Sequence, residues 1–197
     1  MKATFLDHFG AYFIDIIIIS IIASLICLGL PETDKGIEKK LTELNNQYIA
    51  KEINQNKYLS EYSNLLYANQ KGRVLETGIN LAITIAYFVI FQYMNKGQTI
   101  GKKLLKIKVV DKDTKKPVTI VKCLLRSIIT LGIASSALNI ILINTLSKKS
   151  YMYSYLTISI VESIFIFITI IFILYRKDGR GLHDLIANTT VIKEGRG

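Results

Sequence analysis

Phe9–Leu30 reads FGAYFIDIIIISIIASLICLGL, a run of twenty-two residues broken by a single charge, Asp15. A helix rises ~1.5 Å per residue and the hydrocarbon core of a bilayer is ~30 Å thick, so about 20 apolar residues suffice to cross it. Three more runs meet that length: Thr77–Met94, roughly Ser127–Leu146, and Tyr155–Tyr175. Half of the 197 residues are hydrophobic and the mean hydropathy is +0.35, yet the formal net charge is +10. That combination belongs to a membrane protein rather than a soluble domain. The expected fold class is therefore an all-α membrane protein of four transmembrane helices, one domain over 1–197.

A strong basic balance also raises nucleic-acid binding, which needs clustered Lys and Arg for phosphates. Here the clusters follow the apolar runs instead. Residues 95–126 hold nine Lys and one Arg against Asp111 and Asp113, a net +8, whereas residues 31–76 carry seven basic and seven acidic residues. The 176–197 tail adds Arg176, Lys177, Arg180, Lys193 and Arg196. Basic loops stay inside, which predicts a multi-pass protein of the cell membrane with both termini cytoplasmic. Lys2 ahead of the first run resembles a signal sequence, but the run is too long and Leu28-Gly29-Leu30-Pro31 lacks a small-residue cleavage pattern. Cys27 and Cys123 fall at opposite ends of the membrane, so no disulfide is expected.

Pro31 stops the first helix, and the sequence turns to Lys, Glu, Asn and Gln as far as residue 76. Ile37, Leu41, Leu44 and Tyr48 share one helical face, and Tyr58, Tyr62 and Leu65 share another. Two amphipathic helices, or one long bent one, are expected in this extracytoplasmic insertion, packed on each other and on the membrane surface; a partner-binding face is the other reading. In the basic loop, Leu104–Val110 alternates apolar residues with Lys, Val118–Val121 is rich in β-branched residues, and Asp113–Pro117 supplies turn chemistry. A short hairpin is favoured, with an amphipathic helix as competitor; in either form the lysines meet anionic headgroups.

Three blocks taken together resemble the RDD family of bacterial membrane proteins. They are HFGAYFID (8–15), GQTIGKKLLKIKVV (97–110) followed by Arg126, and RGLHDLIANTTV (180–191). Ala11, Ile14 and Asp15 fit the first block, Gly97, Thr99, Gly101, Lys102 and Val109 the second, and His183 with Asp184 the third. His8 stands where the family's first-helix Arg would fall. A His replaces a bidentate Arg only when protonated, so any activity needing that Arg becomes doubtful or pH-dependent. The resemblance implies a polytopic membrane protein, with monovalent cation/proton antiport among the activities proposed for the family.

Asp15 lies ~9 Å below the inner surface on a straight helix, too deep for an unpartnered carboxylate. Arg126 and Arg180 are the expected partners, with His8 two helical turns away on the same face. Glu162 is the second embedded acid, ~11 Å from the outer surface. The two acids suggest either buried ion pairs or a relay of ion-binding sites past Ser20, Asn80, Thr84 and Asn139; Glu162 bonding Asn139 across a helix interface is the packing alternative. Arg126, Arg180, His183 and Asp184 form a cytoplasmic collar expected to neutralise Asp15. Gly97, Gly101, Gly179 and Gly181 read as tight turns at the membrane surface. No HExxH, paired-Cys spacing or Ser-His-Asp arrangement is present, so neither an enzyme, nor a cofactor, nor a metal site is expected. Two functions follow: movement of monovalent cations, protons or a small solute using embedded acids, or a non-catalytic regulator, immunity or accessory subunit binding another membrane protein through its outer insertion. The expected partners are anionic lipid headgroups, with a second copy of the chain or another membrane protein, and no nucleic acid.

Overall fold

A computed structural model describes residues 3–30 and 36–194. Pro31, the expected stop of the first helix, lies outside them, as do Lys2 and Arg196. The fold is 74% helical, with three helices long and apolar enough to cross a membrane and a fourth crossing supplied by a bent pair. In chain order the elements are α1 (Phe5–Cys27), α2 (Gly36–Ile49), α3 (Gln55–Gly72), α4 (Val74–Met94), α5 (Ile100–Leu104), β1 (Ile107–Asp111), α6 (Ile120–Thr130), α7 (Ile133–Thr145), α8 (Lys148–Tyr175), α9 (Leu182–Ile186) and β2 (Thr189–Lys193).

Local punctuation sets the helix starts. Thr4 and Asp7 form a reciprocal capping box on α1, the Thr4 hydroxyl accepting from Asp7 N–H and the Asp7 carboxylate from Thr4 N–H at 2.7 Å. Asn54, Thr99, Thr119 and Ser147 cap α3, α5, α6 and α8 in the same acceptor role. Residues Ala86–Phe91 of α4 wind as a π-helical turn, which re-aims the side chains that follow.

The expected hairpin is replaced by a non-local ribbon. β1 pairs antiparallel with β2, with Ile107 opposite Lys193, Val109 opposite Val191 and Asp111 opposite Thr189. Only the Val110–Pro117 bridge survives of the local pairing. Thr119 takes the N-cap of α6, so Val118–Val121 runs into a helix, and the β-branched Thr189–Val191 offers β1 a longer ladder. Ile107, Val109 and Val191 are thereby buried in one core with Ala3, Ala11, Val89, Val118, Cys123 and Ile133. This places the ribbon, the start of α1, α5 and α9 on one side of the molecule, hereafter the basic side.

The third apolar run differs from a single straight crossing. It begins earlier, at Ile120, and breaks between α6 and α7 with a 66° bend. Gly132 at the break has φ +67°, the left-handed region that costs glycine least. The insertion resolves into two helices. Tyr48 stacks on Tyr58 at 4.5 Å between them, and α3 docks onto the far ends of α7 and α8. Tyr67 packs edge-on against the buried Tyr151, and its hydroxyl donates to the Ile143 carbonyl at 3.0 Å. The insertion is thus built into the helix bundle rather than only lying over it.

Candidate functional site

Asp15 is fully buried where α1 crosses the start of α5. Its Oδ1 accepts from the Tyr87 hydroxyl at 2.6 Å and from Gly101 N–H at 2.8 Å, and its Oδ2 accepts from the Thr99 hydroxyl at 2.5 Å. The Tyr87 oxygen in turn accepts from Ile100 N–H at 3.1 Å. The π-helical turn presents Tyr87, while the Thr99 cap and the first amide groups of α5 face the carboxylate. A carboxylate is a strong acceptor for three such donors, and the exposed N–H groups of a helix start favour negative charge. Neither Arg126 nor Arg180 bonds it, which corrects the expected pairing: the basic loop supplies neutral donors, with Lys102 as a nearby cation.

Gly101 permits this crossing by close approach rather than by a turn. A Cβ there would stand 2.2 Å from the Ala11 carbonyl oxygen and 2.8 Å from Asp15 Oδ1. Gly101→Ala should therefore cost about 2 kcal/mol or more, read as a lowered unfolding temperature in detergent, with the rigid Ala11 backbone leaving little room for relaxation. Gly97 and Gly179 do adopt left-handed turns, whereas Gly181 is held at a close approach to His183 and Thr169.

The two arginines belong to a second cluster. Arg126 from α6 makes an ion pair with Asp184 of α9, and its Nη1 donates to the Thr189 hydroxyl at 2.6 Å. That hydroxyl donates onward to Asp184 Oδ1 at 2.8 Å. Arg180 bonds backbone instead, Nε to the Thr189 carbonyl at 2.8 Å and Nη2 to the Asp184 carbonyl at 3.0 Å. His183 Nε2 lies 3.2 Å from Asp184 Oδ2. Burial, reinforced by the Arg126 charge, holds His183 well below its usual pKa. The collar exists, but it neutralises Asp184 rather than Asp15 and clamps α6, α9 and β2 together.

Between the two clusters is a cavity of 330 Å³ whose polar lining includes His8, Gln92, Lys102, Arg126, Thr169 and His183. Among the described residues, no Asp or Glu lines it. Lys102 Nζ donates to Gln92 Oε1 at 3.2 Å and to the Thr99 hydroxyl at 3.3 Å, and burial brings its pKa down to about 8 against the opposing pull of Asp15. Thr169 Oγ1 and His183 Nδ1 are buried there without a hydrogen-bond partner.

Glu162 stands apart from all of this. Its Oε1 is 3.2 Å from the point a Cβ on Gly132 would occupy, beside the bend and the exposed N–H groups that start α7. It makes no bond to Asn139, whose Oδ1 is buried without a partner. Ser20, Asn80 and Thr84 do come together, in a 730 Å³ groove between α1 and α4 that reaches Ile19, one helical turn from Asp15. Asn139 is not part of that groove. Tyr87, Gln92, Thr169 and Thr189 are the site residues that the sequence blocks did not single out; a polar atom inside an apolar run was the only signal for the first three. Among the described residues, no group of three or more His, Cys, Asp or Glu is arranged to hold a metal ion.

The model of the RDD family matches residues 2–188, nearly the whole chain. No curated protein and no solved structure matches it.

Proposed function

The chain belongs to the RDD family, and from that premise we propose that it is a non-catalytic, multi-pass protein of the cell membrane that works by binding on its basic face, with both termini cytoplasmic. The observation that carries this reading is the state of the motif acids. Asp15 has three donors and Asp184 has Arg126 and Thr189, and both are closed off within the fold. A carboxylate that cycles between ions or protons needs an open approach and partners it can exchange. These two are used as clamps, and Glu162 sits by the helix break. The +8 of residues 95–126 supports the cytoplasmic placement of this face, where anionic lipids attract Lys and Arg.

Proteoliposomes holding the purified protein should show no more pH-gradient-driven Na⁺ or K⁺ flux than empty vesicles. Flux above that background which is lost in Asp15→Asn while the protein still inserts would overturn the reading. One observation favours that second reading, transport: the groove lined by Ser20, Asn80 and Thr84 ends one turn from Asp15. Under it, the Tyr87–Asp15–Thr99 contact is a closed gate between that groove and the basic cavity.

A further inference from the structure

We propose that the 330 Å³ cavity on the basic side is a binding site for one anionic phospholipid with a hydroxyl-bearing headgroup, its acyl chain leaving between α1 and α8. Three independent observations converge on it. First, the cavity wall joins two kinds of surface: Phe5 and Phe9 of α1, Phe88 of α4 and Ile166, Ile170 and Ile173 of α8 are apolar, while Lys102 and Arg126 bring positive charge. A soluble phosphate would leave that apolar wall uncovered, and a neutral lipid would leave the Lys102 ammonium without a direct ion pair and the unused Arg126 N–H groups without an anionic acceptor. An anionic amphiphile satisfies both.

Second, the cations have capacity to spare. Among the described residues no carboxylate lies within ion-pair distance of Lys102 Nζ, which bonds Gln92 and Thr99. Arg126 uses Nη1 for Asp184 and Thr189, and its Nε and Nη2 make no hydrogen bond to the described residues. Third, two residues of the cavity wall, Thr169 and His183, carry buried polar atoms, Oγ1 and Nδ1 beside Gly181, with no partner among the described residues, and such orphans are costly unless a ligand or water meets them. His183 Nε2 lies 3.2 Å from Asp184 Oδ2 with no hydrogen bond between them, so Nδ1 can meet a hydroxyl as acceptor or as donor, and Thr169 can donate. A phosphodiester oxygen suits the Thr169 hydroxyl, and a glycerol hydroxyl suits Nδ1. The exit is given by packing: α1 and α8 both line the cavity yet scarcely touch one another.

The inference rests on the binding reading above, but its test reads lipid rather than ion flux, so the two fail separately. The purified full chain, delipidated in neutral detergent, is titrated with phosphatidylglycerol, with phosphatidylcholine and with inorganic phosphate, following unfolding temperature and lipid retained in native mass spectra. Phosphatidylglycerol is expected to raise the unfolding temperature and stay bound as one copy, while the other two do neither. Lys102→Gln should weaken phosphatidylglycerol binding about tenfold or more through loss of a charge-assisted bond. Ile170→Trp should exclude the lipid by filling the wall with every charge intact. Equal effects of the two lipids, an equal effect of phosphate alone, or wild-type phosphatidylglycerol affinity in a folded variant of either kind would overturn the proposal. The comparison of the two lipids on the wild-type chain decides it even if a variant fails to fold.

Discussion

Asp15→Ala is expected to lower the unfolding free energy by about 3–5 kcal/mol, because it removes one acceptor group and orphans three donors. The Tyr87 and Thr99 hydroxyls and the Gly101 N–H all converge on that carboxylate at 2.5 to 2.8 Å in a fully buried position. Each orphaned donor costs about 1–3 kcal/mol, partly recovered where a hydroxyl rotates to a new acceptor. Asp15→Asn should be milder, since one amide oxygen still accepts and the Thr99 hydroxyl can turn to accept from the amide nitrogen. Ile17→Ala is the matched control: Ile17 is 45% exposed on the same helix, where lipid replaces the lost contacts. Thermal unfolding in one detergent orders the series. If Ala, Asn and the control were alike, Asp15 would not be the joint between α1 and α5.

Arg126→Ala and Asp184→Ala should each cost about 3–5 kcal/mol, since truncating one member of a buried ion pair strands the other. Arg126 is 8% exposed and Asp184 fully buried, so water cannot compensate for either loss. The double replacement Arg126→Met with Asp184→Leu should recover much of that loss, because two apolar chains of similar volume leave no stranded charge. Thr189 loses both an acceptor and a donor in Thr189→Val, with an expected cost of about 1–3 kcal/mol. A double-mutant cycle built from Arg126→Met, Asp184→Leu and the two combined, read as unfolding free energy, measures the coupling directly. A double mutant as unstable as the sum of the singles would mean that the pair does not act as a unit.

The helices were legible because apolar length is a local property. Phe9–Leu30, Thr77–Met94 and Tyr155–Tyr175 each fall within or close to an observed helix, and the insertion separates into two amphipathic helices where Asn54 caps the second. The third run shows the limit of that reading: counting apolar residues is blind to one glycine in the left-handed region, and Gly132 turns a straight crossing into a bent pair. The strand at Ile107–Asp111 was legible from its alternation, but not its partner, because the tail that completes it lies some eighty residues along the chain.

The charged residues divide in the same way. That Asp15 needs a partner followed from the cost of a bare carboxylate in hydrocarbon, and depth along a helix can be counted from sequence. Which partner it takes could not be counted. Long-range strength would favour Arg126 or Arg180, yet helix α5 arrives with a threonine cap and a glycine amide already aimed, and the arginines are claimed by Asp184, Thr189 and backbone carbonyls.

The sequence by itself determined a basic, membrane-embedded helical protein, its family and the residues around which its polar joints form. Hydrophobic length, capping side chains and glycine are properties that a few neighbouring residues settle among themselves. Only the tertiary structure decided that Asp15 is bonded by Tyr87, Thr99 and Gly101, that the collar closes on Asp184 through Arg126, and that Lys102 faces a cavity lined by no acidic side chain among the described residues. Hydrogen bonds and ion pairs reward groups that packing brings within about 3 Å, and which groups those are depends on how helices far apart in the chain cross.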